Sequence, residues 1–88
     1  MSWNNQIYTL QATKDGVTKY CTAYWISENV ITLKNDITLA WEYENPNAQI
    51  NKCSFVSENQ AWFIWYQWKN QHLEEADGWR PEVCILET

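Results

Sequence analysis

Ser57 to Gly78, SENQAWFIWYQWKNQHLEEADG, decides how the chain is read, because six of the seven side chains from Trp62 to Trp68 are aromatic or aliphatic. A buried strand over Ala61 to Trp68 competes with a helix. The ends settle the matter. Ser57 can accept a hydrogen bond from the amide three residues on while Gln60 reaches back to the Ser57 amide, the reciprocal capping arrangement of a helix start. Gly78 offers the left-handed conformation that closes a helix without steric cost. No turn residue intervenes before Asp77-Gly78, and that length favours a helix. One long helix is therefore expected over Glu58 to Asp77. At 100° per residue, Ala61, Trp62, Ile64, Trp65, Tyr66, Trp68, Lys69, His72, Leu73 and Ala76 share one broad arc, and Phe63 alone falls among the polar residues.

Upstream of the helix the periodicity is that of strands. Ile7 to Thr13 alternates, Lys14-Asp15-Gly16 supplies a hairpin turn, and Val17 to Ile26 is rich in β-branched and aromatic residues. The alternation sets Val17, Cys21, Ala23 and Trp25, with Lys19 among them, on a face read as buried. Thr18, Tyr20, Thr22, Tyr24 and Ile26 fall on a face read as exposed or partner-facing. Ser27-Glu28-Asn29 reads as a break, Val30 to Leu33 as resumed strand, Lys34-Asn35-Asp36 as a turn and Ile37 to Tyr43 as a further strand. A short helix capped by Asp36 is the alternative for that last segment. Glu44-Asn45-Pro46-Asn47 is the clearest loop. Gln49 to Val56 is expected to form a strand leading into the helix cap. Beyond Gly78, Pro81 ends the Trp79-Arg80 corner, and Val83 to Leu86 reads as a terminal strand.

The expected architecture is α+β, a four- or five-stranded, mainly antiparallel sheet with one long helix packed on one face, in a single domain spanning residues 1–88. A domain this small buries less of its surface than a larger one, and its seven Trp and five Tyr compensate, since each ring can bury roughly 150–250 Å². Trp62, Ile64, Trp65 and Trp68 are the expected anchors of the helix. One helix cannot cover both faces of a sheet, so the opposite face is left for solvent, a second copy or a partner.

The formal charge of −5 comes from eleven acids against six bases, and the bases form no stripe along the chain. That balance disfavours direct contact with nucleic acid or an anionic membrane and suits a basic partner. MSWNNQIYTL has no basic, then apolar, leader pattern, and no run approaches the ~20 apolar residues of a membrane span. Cys21, Cys53 and Cys84 are odd in number, widely spaced and free of CxxC, which reads as reduced thiols in a cytoplasmic protein.

Tests for chemistry return little. His72, the single histidine, has no nucleophile elbow near it. Structural zinc draws on at least one close cysteine pair, and none is present. Gly16 and Gly78 cannot build a phosphate-cradling loop. Glu74, Glu75 and Asp77 lack the spaced oxygen ligands of a calcium loop, and they stand at a helix C-terminus, where acids oppose the dipole. The expectation is a non-enzymatic chain with no cofactor and no metal.

No motif identifies a family. In size, acidity and want of catalytic groups the chain is similar to the small inhibitors made by phages and bacteria: anti-defence proteins such as anti-CRISPRs, toxin-immunity proteins and anti-restriction proteins. This compositional likeness implies a stoichiometric binder that blocks a basic surface of a nucleic-acid-handling protein. The candidate contacts are Glu42, Glu44, Glu74, Glu75, Asp77 and Glu82, supported by Tyr24, Tyr43 and Phe63. Glu87 adds to the acids that crowd the last fifteen residues around Arg80. A structural protein that self-associates through an aromatic surface, as a homodimer for example, is the alternative, followed by a small-ligand binder with an aromatic pocket.

Overall fold

The structure is a computed structural model and describes residues 6–86, so Glu87 lies outside the described residues. Strands β1 (Tyr8–Lys14), β2 (Val17–Asn29) and β3 (Lys34–Tyr43) precede helix α1 (Glu58–Gln71), the single turn α2 (Leu73–Ala76) and strand β4 (Arg80–Ile85). The described residues form one four-stranded sheet in the order β3-β2-β1-β4, antiparallel throughout. The helix packs against one face of it, the α+β arrangement expected.

Local chemistry explains the first hairpin. Asp15 (φ 51°) and Gly16 (φ 77°) both adopt the left-handed region, as a two-residue turn between twisted strands requires. Lys14 then sits opposite Val17.

The second hairpin differs from expectation. Val30 to Leu33 is the turn, and Lys34-Asn35-Asp36 belongs to β3. The side chain of Asn29 makes this possible, because its Oδ1 accepts from the amides of Ile31 and Thr32 (both 3.0 Å). Such an Asx turn needs no glycine, although Leu33 is driven to φ 56°. Polar residues read as breaks are strand partners instead: Ser27 with Asp36, Glu28 with Asn35, Asn29 with Lys34.

A bulge in β2 overturns the expected assignment of its faces beyond Cys21. Cys21 pairs with Trp41 and Tyr24 with Leu39, so residues three apart on β2 match residues two apart on β3. Trp41 and Leu39 share a face, hence so do Cys21 and Tyr24. Lys19 and Cys21 therefore face the helix, and beyond the bulge Tyr24 and Ile26 take their place. Ala23 and Trp25 turn to the back of the sheet.

The helix begins as read, with Ser57 Oγ accepting from the Gln60 amide (3.1 Å), but Gln60 Oε1 accepts from Val56 rather than from Ser57. Ala61, Ile64, Trp65 and Trp68 are buried, while Trp62 is half-buried and Tyr66 and Leu73, at the margins of the arc, are exposed. Trp41 meets Trp65 and Trp68 edge-on, with ring centroids 6.0 and 5.6 Å apart. The helix stops short of Asp77. His72 leaves helical geometry (φ −133°, ψ 57°), its ring stacks on Trp68, and Nε2 donates to the Ile37 carbonyl (3.0 Å), so a tertiary bond interrupts the predicted run. Gly78 still takes the left-handed conformation (φ 80°), where a Cβ would come within 3.0 Å of Lys14 Cε.

Gln49 to Val56 is not a strand. It crosses the back of the sheet, with Lys52 over the Tyr20 ring (5.5 Å). The Cys53 amide then donates to the Cys21 carbonyl (2.9 Å), and Phe55 exchanges a pair of backbone bonds with Tyr8 (2.8 and 2.9 Å). Phe55 stacks on Tyr24, on the helix side. The segment thus passes between β1 and β2 where their pairing ends, which leaves no uninterrupted partner strand for it.

Both sheet edges are blunted. On β3 the Ile37 amide donates to Gln71 Oε1 (2.8 Å) and Gln71 Nε2 donates to the Asn35 carbonyl (2.8 Å), so one side-chain amide stands in for a neighbouring strand. On β4 the Leu86 amide donates to Ile7 (2.7 Å), which by alternation points the backbone of Arg80, Glu82 and Cys84 at β1 and that of Pro81, Val83 and Ile85 outward. Proline, with no N–H, occupies an outward position of this edge.

Candidate interaction surfaces

The sheet divides the candidate acids. Register places Glu82, Gln11, Tyr20 and Glu42 side by side across the back of all four strands. Three strand spacings separate the outer two by about 14 Å. Gln11 Nε2 donates to Glu82 Oε2 (3.2 Å). Glu44 follows opposite Thr18, whose carbonyl accepts from the Glu44 amide (3.1 Å), and the hydroxyls of Thr18 and Thr13 meet at 3.0 Å. Tyr20 is buried beneath Lys52, and its hydroxyl has no hydrogen-bond partner among the described residues. Burial, then the charges of Glu42 and Glu44, raise its pKa and keep the phenol protonated.

Glu74 and Glu75 lie in α2 and Asp77 just after it, beyond the helix-side core. Glu75 Oε1 stands 3.8 Å from His72 Nδ1. The acids that are near neighbours in sequence, Glu74, Glu75, Asp77 and Glu82, are thus not one patch, whereas Glu42 and Glu44 do adjoin the face that carries Glu82. The aromatic candidates are dispersed as well. Tyr24 is half-buried against Phe55, Tyr43 lies exposed near Trp79 (6.4 Å), and Phe63 is exposed on the outer side of the helix as the periodicity required.

The helix side carries an unusual cation. Lys19, buried on the core face, holds Nζ 4.1 Å from the Trp79 ring centroid, 4.7 Å from Trp41 and 5.8 Å from Trp68. Desolvation lowers its pKa, against the raising influence of Glu75. The tryptophans offset part of that cost through their ring faces. This cluster closes one end of the core.

The thiols are free in all three positions. Cys21 donates to the Ala23 carbonyl (3.3 Å), and hydrogen bonding with Cys53, then burial, holds it protonated well above the usual thiol range. Among the described residues no group of three His, Cys, Asp or Glu side chains is placed to hold a metal ion, and no helix is long and apolar enough to cross a membrane.

Sequence reading missed the far end of the second hairpin. Val30, Ile31 and Leu33 expose 74%, 90% and 86% of their surface, and Trp25 and Ile26 are also exposed. The signal that could have found it was the match between Ser27-Glu28-Asn29 and Lys34-Asn35-Asp36 as flanks of a four-residue loop. Its apolar, β-branched content disguised the turn.

A small α+β domain with a tryptophan-rich core, a mixed acidic and polar sheet face and a projecting apolar hairpin is what these elements define. No family model matches the chain, and neither a curated protein nor a solved structure does.

Proposed function

We propose that the protein is a non-catalytic, stoichiometric binding module of the inhibitor type, which uses the back of its sheet to cover a basic surface of a nucleic-acid-handling protein. The observation that carries this reading is the placement of Glu42 and Glu44 beside the Thr13–Thr18 and Gln11–Tyr20 rows, with Glu82 at the opposite edge, in a chain of net charge −5. Carboxylates on a rigid sheet keep a fixed spacing, and that favours complementarity to a basic channel over general solubility. The reading sets the protein in the cytoplasm, where its unpaired thiols stay reduced.

The test uses affinity capture with cross-linking to find the partner, followed by association kinetics as a function of salt. Glu42→Lys with Glu44→Lys should slow association at least about tenfold and flatten its salt dependence, while Glu74→Lys with Asp77→Lys should act weakly. The partner's nucleic-acid binding should fall in proportion to added protein. Association indifferent to salt and to the first pair of reversals would remove the acidic face from the function.

A further inference from the structure

Two thiols of the core meet where the sheet opens. β1 and β2 part beyond the pair Gln11 and Tyr20, and the crossing segment fills the gap, with the Cys53 amide donating to the Cys21 carbonyl (2.9 Å) and Phe55 bonded to Tyr8. Residues joined in this way between neighbouring strands have Cα atoms about 5.5 Å apart, inside the roughly 4.4–6.8 Å that a disulfide bridges. The side chains meet as well, because the two thiols are hydrogen-bonded to each other. Cys21 is fully buried and Cys53 is 7% exposed, so Cys53 is the one that a small solute reaches. Hydrogen bonding with Cys21 lowers the Cys53 pKa against the opposing effect of burial, and the same bond raises that of Cys21. Cys53 is thus the thiol that ionises, and Cys21 the one that keeps its proton. Cys84 stands apart from the pair, since it is matched with Thr9 on the far side of β1.

We propose that Cys21 and Cys53 are a redox clasp: hydrogen peroxide joins them in a disulfide that fastens the crossing segment to β2, and a thiol reductant releases it. In the first step the Cys53 thiolate attacks one oxygen of the peroxide, the O–O bond breaks, the departing hydroxide takes up a proton to become water, and Cys53 is left as a sulfenic acid. The Cys21 sulfur then attacks the Cys53 sulfur, the S–O bond breaks, and the hydroxyl leaves as water with the Cys21 proton. Two thiols lose two electrons in all, and one peroxide is reduced to two waters. The clasp holds a particular charge in place. The crossing segment is tied to the sheet through the main-chain bonds of Cys53 and Phe55, and it carries Lys52, whose Nζ stands over Tyr20 in the row of Glu82, Gln11, Tyr20 and Glu42. Oxidation closes a loop of about thirty residues and limits local opening of the segment, which fixes that positive charge among the acids of the back face. The clasp is independent of whether those acids meet a partner.

Treatment of the folded full chain with a small excess of hydrogen peroxide, followed by alkylation and peptide mapping, tests this. Cys21 and Cys53 should be recovered in one linked pair of peptides, with Cys84 outside the linkage and the circular-dichroism spectrum unchanged. The oxidised protein should melt at least about 5 °C higher. The Cys53 and Phe55 amides should exchange at least about tenfold more slowly, and dithiothreitol should reverse both effects. Cys21→Ala should lose the linkage and the shift in melting temperature. Cys84→Ala, which leaves the buried pair untouched, should keep both, and it serves as the variant of record if Cys21→Ala does not fold. Peroxide that leaves Cys21 and Cys53 both open to alkylation, that drives Cys53 to the sulfinic acid with Cys21 still free, or that links either of them to Cys84 would overturn the proposal. So would a Cys21–Cys53 disulfide that leaves the two amides exchanging as before.

Discussion

The two hairpins share β2 and have opposite surroundings. The first turns on Asp15-Gly16, near the end of the sheet where Lys19, Trp41, Trp68 and Trp79 close the core, and its turn residues are polar. The second turns on Val30 to Leu33, beyond Gln71 and His72 at the end of the helix, and three of its four turn residues are apolar. Backbone chemistry made the first turn and would make it in any protein. A flanking side chain, Asn29, made the second, which freed the turn positions to carry residues chosen for something other than turning. The apolar tip contributes nothing to the core.

The largest effect should come from the covered root. Trp65→Ala removes a buried ring that meets Trp41 edge-on and should cost about 3–5 kcal/mol, a large fraction of the stability of a small domain. Denaturant melts check this. Native-state hydrogen exchange should show the amides near Trp41 opening only with the whole fold, and those near the tip opening locally.

Next in size is the clasp that separates covered from uncovered strand. Gln71→Ala leaves the Ile37 amide and Asn35 carbonyl without partners and should cost about 1–3 kcal/mol. Faster exchange of the Ile37 amide is the direct readout. If that amide stays protected in the variant, the clasp is not what guards the β3 edge.

The turns themselves should answer with opposite signs. Gly16→Ala places a Cβ in open space but in the left-handed region, and should cost about 1–2 kcal/mol from backbone strain alone. Leu33→Gly relieves the same strain at φ 56° and should stabilise by up to about 1 kcal/mol, because Leu33 has almost no packing to lose. Thermal melts of the pair at low protein concentration decide it. A loss of stability in Leu33→Gly would mean that the tip packs within its own chain.

The smallest effect is expected at the exposed apolar positions. Ile31→Ser and Phe63→Ser should each change monomer stability by no more than about 0.5 kcal/mol. Phe63→Ser proving as damaging as Trp65→Ala would put the helix in the wrong rotational phase.

Local signals in the sequence determined much of this molecule. The Ser57 N-cap, the buried positions Ala61, Ile64, Trp65 and Trp68, the outward Phe63 and the Asp15-Gly16 turn all depend on neighbours a few residues away, and all stand in the structure as read. The charge of −5 and the candidates Glu42, Glu44 and Glu82 were legible too, but not that these three share one face while Glu74, Glu75 and Asp77 lie elsewhere. Tertiary structure alone decided the bulge at Thr22, which reverses the faces of β2, because one extra residue on a strand shows only against its partner's register. It decided the end of the helix, where the Ile37 carbonyl draws His72 out of line, and it kept Gln49 to Val56 from becoming a strand by threading it through a gap in the sheet. The physical reason is common to all three. Alternation and capping are set by nearest neighbours along the chain, whereas register, edges and gaps are set by hydrogen bonds between residues far apart in it, which leave no periodic trace in the sequence.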